Sequence, residues 1–146
     1  MRYQKLDPFT RRVFNPLVTF LVRRGVNVAG SRELVVRGRK SGEPRKTPVN
    51  LLFLDGERYL VAPRGHTEWV RNLRVAGEGE LRLGKKVERF TAEELSDEVK
   101  VPVLRAYLKK WAWEVGMFFD GVDGKSSDAD LRRVAPDHPA FKIKAG

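Results

Sequence analysis

The sequence predicts an α+β domain: about six short, mostly antiparallel strands in a small barrel, with an N-terminal helix, a short crossing helix and a longer late helix. Three observations predict this class. First, short runs of alternating apolar and polar residues recur along the chain. Second, tight-turn signals at Asp55-Gly56 and Gly84-Lys85-Lys86 join four of these runs as two hairpins. Third, segments with the period of a helix lie between other runs. Antiparallel hairpins with inserted helices are typical of α+β domains rather than parallel sheets, and six strands are enough to curl into a small barrel.

Each predicted strand is a short run in which apolar residues alternate with polar ones or follow one another without interruption. Turn-forming residues bound most of these runs. The strands fall at residues 33–37, 46–54, 58–62, 80–83, 87–92 and 139–144. The last one alternates apolar with basic residues, which is typical of a half-exposed strand.

Helical spacing and capping residues predict the three helices. In the N-terminal segment, one apolar stripe at i, i+3, i+4 and i+7 is formed by Phe14, Leu17, Val18 and Leu21. Thr67 is an N-cap candidate for the short helix, which Gly77 ends. Ser96, followed by two acidic residues, opens the longer helix, which runs to about Val115. Pro102 marks an alternative start, because proline is best tolerated in a first turn. Residues 120–133 are polar; no element is predicted there, and mobility is expected.

Length and composition indicate one basic domain at residues 1–146, with an N-terminal helical segment at 1–30 and the barrel at 31–146. The 29 Lys and Arg residues exceed the 19 Asp and Glu residues by ten, and cysteine is absent. The absence of cysteine excludes disulfides, thiol nucleophiles, iron–sulfur clusters and cysteine-ligated zinc. Only His66 and His138 are available as imidazoles, so no metal site is expected. The basic excess favours an anionic partner: nucleic acid, an acidic membrane surface or a small molecule.

The densest positive charge lies in the ten residues from Arg37 to Lys46, between the first two strands. Five Arg and Lys residues accompany one Glu there. Glycines let a ligand approach the backbone, the cations supply charged donors and Ser41 supplies a hydroxyl, a combination that suits phosphate or carboxylate. The alternative is a solvated hairpin loop whose charge only aids solubility. The spacing matches neither a Walker A loop nor a dinucleotide-binding G-x-G-x-x-G.

The remaining residues argue against several functions. Nucleic-acid binding is not expected, because the aromatic residues do not interleave with the basic ones. Hydrolysis is not supported, because no G-x-S-x-G elbow is present and neither histidine has an evident nucleophile partner. We interpret His66 as a loop residue and His138 as a structural or hydrogen-bonding one. The aromatic cluster from Tyr107 to Phe119 is either core packing or the apolar wall of a ligand pocket.

The N-terminal stripe has basic ends, Arg11-Arg12 and Arg23-Arg24. Its apolar middle is too short to span a bilayer, which needs about 20 apolar residues. No small-residue cleavage site follows, which argues against export. We therefore expect a cytoplasmic protein whose stripe packs on a core or, as a second interpretation, contacts an acidic membrane surface.

Two ordered motifs make the chain similar to a known family. A strand is followed by G-R-K-S-G-E-P-R-K-T-P at residues 38–48, then by the Asp55-Gly56 hairpin, then by W-V-R-N-L at residues 69–73. This order resembles the deazaflavin-dependent nitroreductase family, whose pattern is G-R-K-S/T-G-x-x-R-x-x-P, a D-G hairpin and W-x-x-N-L on a short helix. The resemblance runs from about residue 10 to the H-P-x-F segment near the end of the chain.

The resemblance implies a split β-barrel that binds the reduced deazaflavin coenzyme F420 and transfers a hydride to a quinone, a nitroaromatic or another conjugated acceptor. The coenzyme-binding residues that it implies are Arg39, Lys40, Ser41, Gly42, Arg45, Thr47, Pro48, Ala62, Pro63, Arg64, Gly65, Trp69 and Asn72. The cations would hold the phosphate and the oligoglutamate tail, with Ser41 and loop amides assisting. Residues 47–48 and 62–65 would line the ring and linker, Trp69 would pack under the site, and Asn72 would fix a loop by its amide. Tyr107 is the implied proton donor or substrate contact.

Two departures from the family pattern fall on the acceptor side. Pro63 stands where many members have serine, in a turn that is shorter before Trp69, and the late helix offers one tyrosine rather than several. Coenzyme binding is therefore expected to carry over better than activity on nitroimidazoles. A non-catalytic carrier of a cofactor or an apolar ligand, and a reductase that binds FMN, remain alternatives. The resemblance leaves monomer and homodimer open.

Overall fold

The computed structural model of the protein describes residues 31–146, apart from the side chains of residues 113 and 114. The predicted N-terminal helix, with its apolar stripe and flanking arginines, lies outside the described residues.

Six antiparallel strands form a closed barrel. They are β1 (Ser31–Arg37), β2 (Pro44–Leu54), β3 (Glu57–Val61), β4 (Glu78–Leu83), β5 (Lys86–Glu94) and β6 (Ala140–Ala145). Around the barrel they follow the order β1-β2-β3-β6-β5-β4, and β4 pairs with β1 to close it. All six predicted strands are confirmed, with ends within two residues of those expected. Asp55 and Gly56 have φ values of 51° and 78°, the conformation that a two-residue hairpin turn requires.

Within residues 31–146, three α-helices accompany the barrel: α1 (Glu68–Ala76), α2 (Asp97–Val115) and α3 (Asp128–Val134). The predicted short helix is confirmed as α1, and it ends where Gly77 turns to φ 70° and donates its N–H to Leu73 O at 2.8 Å. The predicted late helix is confirmed as α2. It begins at Asp97, so Pro102 lies inside the helix and the alternative start at Pro102 is wrong. The backbone of α2 is kinked at Trp111, and a 3₁₀ turn (Gly116–Phe118) follows it.

Helix α3 corrects the expectation that residues 120–133 form no element. Ser127 caps this helix, because its Oγ accepts a hydrogen bond from Asp130 N at 3.1 Å. Leu131 and Val134 are buried, and a 3₁₀ turn (Ala135–Asp137) leads on to β6. The capping serine and the acidic first turn were visible in the sequence, but two apolar anchors in seven residues are too few to establish a helical period.

The barrel interior is one apolar core to which every strand contributes. Its buried strand residues are Leu34, Val36, Leu51, Leu60, Leu81, Phe90, Phe141 and Ile143. Val70 and Leu73 of α1 pack into the same core, so α1 covers one end of the barrel. A second core lies between the outer faces of β2 and β3 and helices α2 and α3, and includes Leu52, Val61, Leu104, Leu108, Trp111 and Leu131.

The antiparallel order gives the barrel two distinct ends. At one end lie the last residues of β1 and β3, the first residues of β2, and helix α1. The hairpins at residues 55–56 and 84–85 lie at the other end. The two predicted ligand-binding segments, 38–48 and 62–73, therefore meet at a single end. Within residues 31–146, no helix is both long enough and apolar enough to cross a membrane.

Candidate functional site

The basic loop at residues 38–43 connects β1 to β2 and is closed by its own backbone. Gly38 N donates to Glu43 O at 2.8 Å, and Gly42 N donates to Gly38 O at 2.9 Å. Ser41 Oγ accepts a hydrogen bond from Glu43 N at 3.1 Å. Most backbone amides of the loop therefore form hydrogen bonds within the protein. The loop presents its side chains, rather than free amides, to solvent.

Asn72 fixes the loop to helix α1. Its side chain is buried, and Oδ1 accepts hydrogen bonds from Arg39 N at 3.1 Å and from Arg39 Nη1 at 2.8 Å. The sequence places these two residues 33 positions apart. The contact that the resemblance implied, a loop held by the Asn72 amide, is present in the structure.

The Arg39 guanidinium is also engaged by a carboxylate of α1. Arg39 Nη1 lies 2.7 Å from Glu68 Oε2, in an ion pair whose arginine side chain is 18% exposed and whose glutamate side chain is 68% exposed. The hydrogen bond from Arg39 lowers the pKa of Glu68 below its ordinary value. Burial opposes this shift, and the charges of Arg39, Lys40 and Arg71 add to the lowering.

Four exposed cations in the chain segments on either side of Arg39 have no ion-pair partner among the residues that the structure describes. They are Arg37, Lys40, Arg45 and Lys46, from the end of β1, the loop and the start of β2. Since the ion pair with Glu68 neutralises only Arg39, this end of the barrel keeps a positive surface. Such a surface attracts phosphate and carboxylate groups.

The turn at residues 62–67 lies at the same end of the barrel as the basic loop. Ala62 is buried, and its N–H donates to Pro139 O at 2.8 Å. Gly65 has φ 90°, which favours glycine, and its N–H donates to Ala62 O at 3.2 Å. Pro63 and Arg64 are partly exposed beside the buried residues. The turn is thus anchored at its base and accessible at its middle.

His66 and Thr67 are buried more deeply than a loop position suggests. His66 Nε2 lies 2.9 Å from Pro136 O, so the imidazole ties the turn to the segment that precedes β6. Thr67 occupies the N-cap position of α1 but makes no capping hydrogen bond. Its hydroxyl is buried with no hydrogen-bond partner within residues 31–146. His138, interpreted from the sequence as structural, is fully buried and stacks on Phe119 at 3.9 Å between ring centroids.

Trp69 is half-buried on helix α1, at the edge of the barrel core. Its ring centroid lies 6.0 Å from that of Phe141, in a tilted arrangement. Trp69 and Asn72 are one helical turn apart, so the tryptophan packs on the barrel while the asparagine holds the loop.

Thr47 and Pro48 are adjacent in β2 and face opposite sides of the sheet. Val49 and Leu51 belong to the barrel core, so Thr47 shares their inward face and Pro48 lies on the outer one. The strand therefore brings only one of these two side chains to any single pocket.

The structure places Tyr107 in the core outside the barrel rather than beside the loop. Its side chain is 1% exposed, and its ring lies 5.1 Å from Trp111 and 6.4 Å from Phe119 between centroids. Of the two interpretations of the late aromatic cluster, core packing describes Tyr107, Trp111 and Phe119. The role of Tyr107 as a proton donor stays a prediction.

Sequence reasoning passed over Glu68. The residue directly precedes the W-x-x-N-L motif and stands at the first position of α1, where an acidic residue also suits the helix dipole. Its contact is with an arginine 29 positions earlier in the chain, a separation that no local sequence pattern reveals. Within residues 31–146, no group of three or more His, Asp or Glu side chains is arranged to hold a metal ion.

Barrel closure, external helices and a cationic loop at one barrel end define a split β-barrel protein of the α+β class. The chain belongs to the F420H2-dependent quinone reductase family, which it matches over residues 20–114. That range contains the basic loop, the turn at 62–67 and the whole of α1. The family is one of oxidoreductases that use reduced F420.

Solved structures share this fold at low sequence identity. An F420H2-dependent reductase, FDR-A, is 20% identical, with a TM-score of 0.53 over 79% of this chain and 94% of that one. A structure described as a domain-swapped dimer is 18% identical, with a TM-score of 0.56 over 88% of this chain and 95% of that one. An Agrobacterium tumefaciens protein of unknown function is 18% identical, with a TM-score of 0.53. The alignment covers 96% of this chain but only 57% of that protein's length. No curated protein sequence matches the chain.

Proposed function

We propose that the protein is a reductase that uses reduced coenzyme F420 to reduce a quinone or another conjugated organic acceptor. The observation that carries this proposal is the cationic loop at 38–43, held against α1 by Arg39 and Asn72 inside the region that matches the family. Nitroaromatic compounds belong to the same class of acceptor and are part of the proposal.

The described residues fit a coenzyme with a phosphate and a glutamate tail. Lys40 within the loop and Arg45 at the start of β2 are exposed side chains, and the backbone of the loop is already hydrogen-bonded. Gly42 has φ 75°, and a Cβ added there would meet no atom within 4 Å, so the outer side of the loop is open. A flexible anion can therefore lie across the loop and contact both cations without rearranging the backbone.

The proposed binding residues divide by position. Lys40 and Arg45 hold the phosphate and tail carboxylates, and the Arg39 guanidinium adds a third cationic donor at the junction with α1. Ser41 and Gly42 form the loop surface between them. Thr47 on β2, together with the turn at 62–65, lines the ring and linker, and Pro48 borders the site from the outer face of the same strand. Trp69 packs under the site, and Asn72 holds the loop against α1.

In this proposal the coenzyme, when bound, supplies the hydride. The protein contributes binding, orientation and exclusion of water. The barrel is closed, its interior is apolar, and its loop is held by hydrogen bonds to α1. Such fixed elements can hold the two reactants in a defined geometry, which a bimolecular hydride transfer requires. Tyr107 is proposed as the proton donor or substrate contact, which requires that an acceptor reach the region between α2 and Phe119.

A titration of the intrinsic fluorescence of the coenzyme tests the proposal directly. We expect a saturable change with the wild-type protein. The double variant K40A/R45A should bind about tenfold more weakly or worse, because a hydrogen bond to a charged group contributes roughly 1.5–3 kcal/mol. The matched control is K85A/K86A, which removes two exposed charges at the other end of the barrel. Absence of saturable binding by the wild type, or equal effects of the two double variants, would contradict the proposal.

A carrier without turnover is the second candidate, and the burial of Tyr107 favours it. Its signature is tight coenzyme binding with no oxidation of the reduced coenzyme across a panel of quinones and nitroaromatics. An FMN-dependent reductase is distinguished by a bound yellow chromophore in the purified protein. Light scattering of the purified chain decides between a monomer and a homodimer, the latter suggested by the relative described as a domain-swapped dimer.

A further inference from the structure

We propose that Glu68 is an internal competitor for the anionic end of the ligand: it occupies the Arg39 guanidinium until a multiply charged anion displaces it. This inference rests on the proposed function and adds a selectivity step to it. Arg39 would then contribute to binding only for ligands with enough negative charge to open the Arg39–Glu68 pair.

The first step concerns what holds Arg39 in place. Asn72 Oδ1 accepts hydrogen bonds from Arg39 N at 3.1 Å and from its Nη1 at 2.8 Å. Because Asn72 is buried, these two contacts fix the backbone and the guanidinium of Arg39 without any help from Glu68. The carboxylate is therefore not needed to build the loop.

The second step concerns how readily Glu68 leaves. Its side chain is 68% exposed, and Arg39 Nη1 is its hydrogen-bonding partner. A rotation of the exposed side chain moves the carboxylate into solvent and leaves the α1 backbone unchanged. The Arg39 guanidinium, at 18% exposure, is then available to an anion at the position that Glu68 has left, where the charge of Lys40 also acts.

The third step concerns which anions can open the pair. An exposed ion pair contributes little free energy, and salt screens it further. A phosphate or a run of carboxylates contacts Lys40 and Arg45 as well as Arg39, so it gains more than the pair loses. A single carboxylate exchanges one ion pair for an equivalent one and gains nothing at Arg39. The pair thus favours ligands with several charges over ligands with one.

The local charges are consistent with a carboxylate that is ionised when a ligand arrives. Arg39, Lys40 and Arg71 all lower the pKa of Glu68, so the competitor carries its charge throughout the neutral range. Protonation therefore does not release Arg39 at neutral pH, and displacement by an anion does.

The test is the substitution Glu68→Gln, which keeps the shape of the side chain and removes its charge. We expect Glu68→Gln to bind the reduced coenzyme about two- to five-fold more tightly than the wild type, the range for loss of an exposed ion pair. The matched control is Glu43→Gln, a neighbouring exposed glutamate whose side chain forms no ion pair with the residues described. It removes the same charge from the same surface, so any general electrostatic gain appears in both variants and only the excess belongs to Glu68.

Repeating the comparison in an Arg39→Ala background isolates the Arg39–Glu68 contact further. With Arg39→Ala, the Glu68→Gln substitution should change the coenzyme Kd no more than Glu43→Gln does, because the pair no longer exists. Weaker binding by Glu68→Gln than by the wild type would overturn the inference and make Glu68 a residue that positions Arg39. Equal gains from Glu68→Gln and Glu43→Gln would overturn it as well.

A second probe separates this inference from the proposed function. Inorganic pyrophosphate carries several charges but no deazaflavin, and its binding can be followed by the side-chain ¹H–¹⁵N resonance of Arg39. Tighter pyrophosphate binding by Glu68→Gln than by Glu43→Gln supports the competitor even if the coenzyme itself does not bind. If neither the coenzyme nor pyrophosphate binds Glu68→Gln more tightly than Glu43→Gln, the inference is wrong.

Discussion

Asn72 Oδ1 accepts hydrogen bonds from both the backbone N–H and the guanidinium of Arg39, at 3.1 and 2.8 Å. One buried oxygen thus joins the loop after β1 to helix α1. Because Val70 and Leu73 of the same helix pack into the barrel core, the loop is fixed to the barrel through α1. The most charged segment of the sequence is consequently also anchored to the barrel core.

Replacing Asn72 by alanine should destabilise the protein and weaken coenzyme binding together. The substitution removes the acceptor of a partly buried backbone N–H, which costs about 1–3 kcal/mol of unfolding free energy. Urea unfolding measures that loss, and the fluorescence titration measures the binding. Asn72→Asp is the control, because it keeps an acceptor oxygen at the same place beside Arg39. If Asp and Ala variants lose the same stability, the hydrogen bonds to Arg39 do not hold the loop.

Acid should weaken the barrel through Glu88. Arg58 of β3 donates two hydrogen bonds to the two oxygens of Glu88 on β5, each at 2.6 Å. The hydrogen bond from Arg58 lowers the pKa of Glu88 below its ordinary value of 4.5, and the same bond raises the pKa of Arg58. A carboxyl group with a lowered folded-state pKa contributes stability above the ordinary pKa and loses it as the pH falls through the folded value.

The expected result is a fall in unfolding free energy below about pH 4.5 that is shallower in Glu88→Gln than in the wild type. At neutral pH, Glu88→Gln should cost no more than about 1 kcal/mol, because the carboxylate is partly exposed and water screens the pair. Chemical denaturation at a series of pH values measures both effects. Glu43→Gln, at a residue outside any described ion pair, should leave the acid slope unchanged, and an identical slope for all three proteins would contradict the prediction.

The strands could be predicted from the sequence, whereas the ion pair within the site could not. Strand periodicity and turn residues are local signals, and a hairpin such as β2–β3 needs only alternation on both sides of Asp55-Gly56. Helix α3 spans seven residues, so its period is too short to recognise beside its polar neighbours. The Arg39–Glu68 pair joins residues 29 positions apart, and no local rule places them together. Charge counting located the loop, and only the folded chain shows which of its cations is already paired.

Gly77, which ends α1, and Gly79, in β4, should respond to alanine for different reasons. Gly79 has no room: a Cβ there would lie 2.8 Å from Val35 O and 3.1 Å from the Phe90 ring. Gly77 has room, with no atom within 4 Å of an added Cβ, but its φ of 70° disfavours any side chain.

Gly79→Ala should therefore cost more unfolding free energy than Gly77→Ala, for which about 1 kcal/mol is expected. The backbone carbonyl of Val35 cannot move without disturbing the pairing of β1 with β4 that closes the barrel. Thermal or urea unfolding compares the two variants. Equal losses would mean that the strand relaxes around the added methyl group.

The two helix starts at Ser127 and Thr67 should give opposite results when their hydroxyls are removed. Ser127 Oγ accepts a hydrogen bond from Asp130 N, so Ser127→Ala should cost about 1 kcal/mol of unfolding free energy. Thr67 has the N-cap backbone conformation without the capping hydrogen bond, and within the described part of the chain its buried hydroxyl has no partner. Thr67→Val keeps the shape and removes the polar atom, so it should be neutral or stabilising. Urea unfolding of both variants decides, and a loss for Thr67→Val as large as that for Ser127→Ala would show that the Thr67 hydroxyl is hydrogen-bonded in solution.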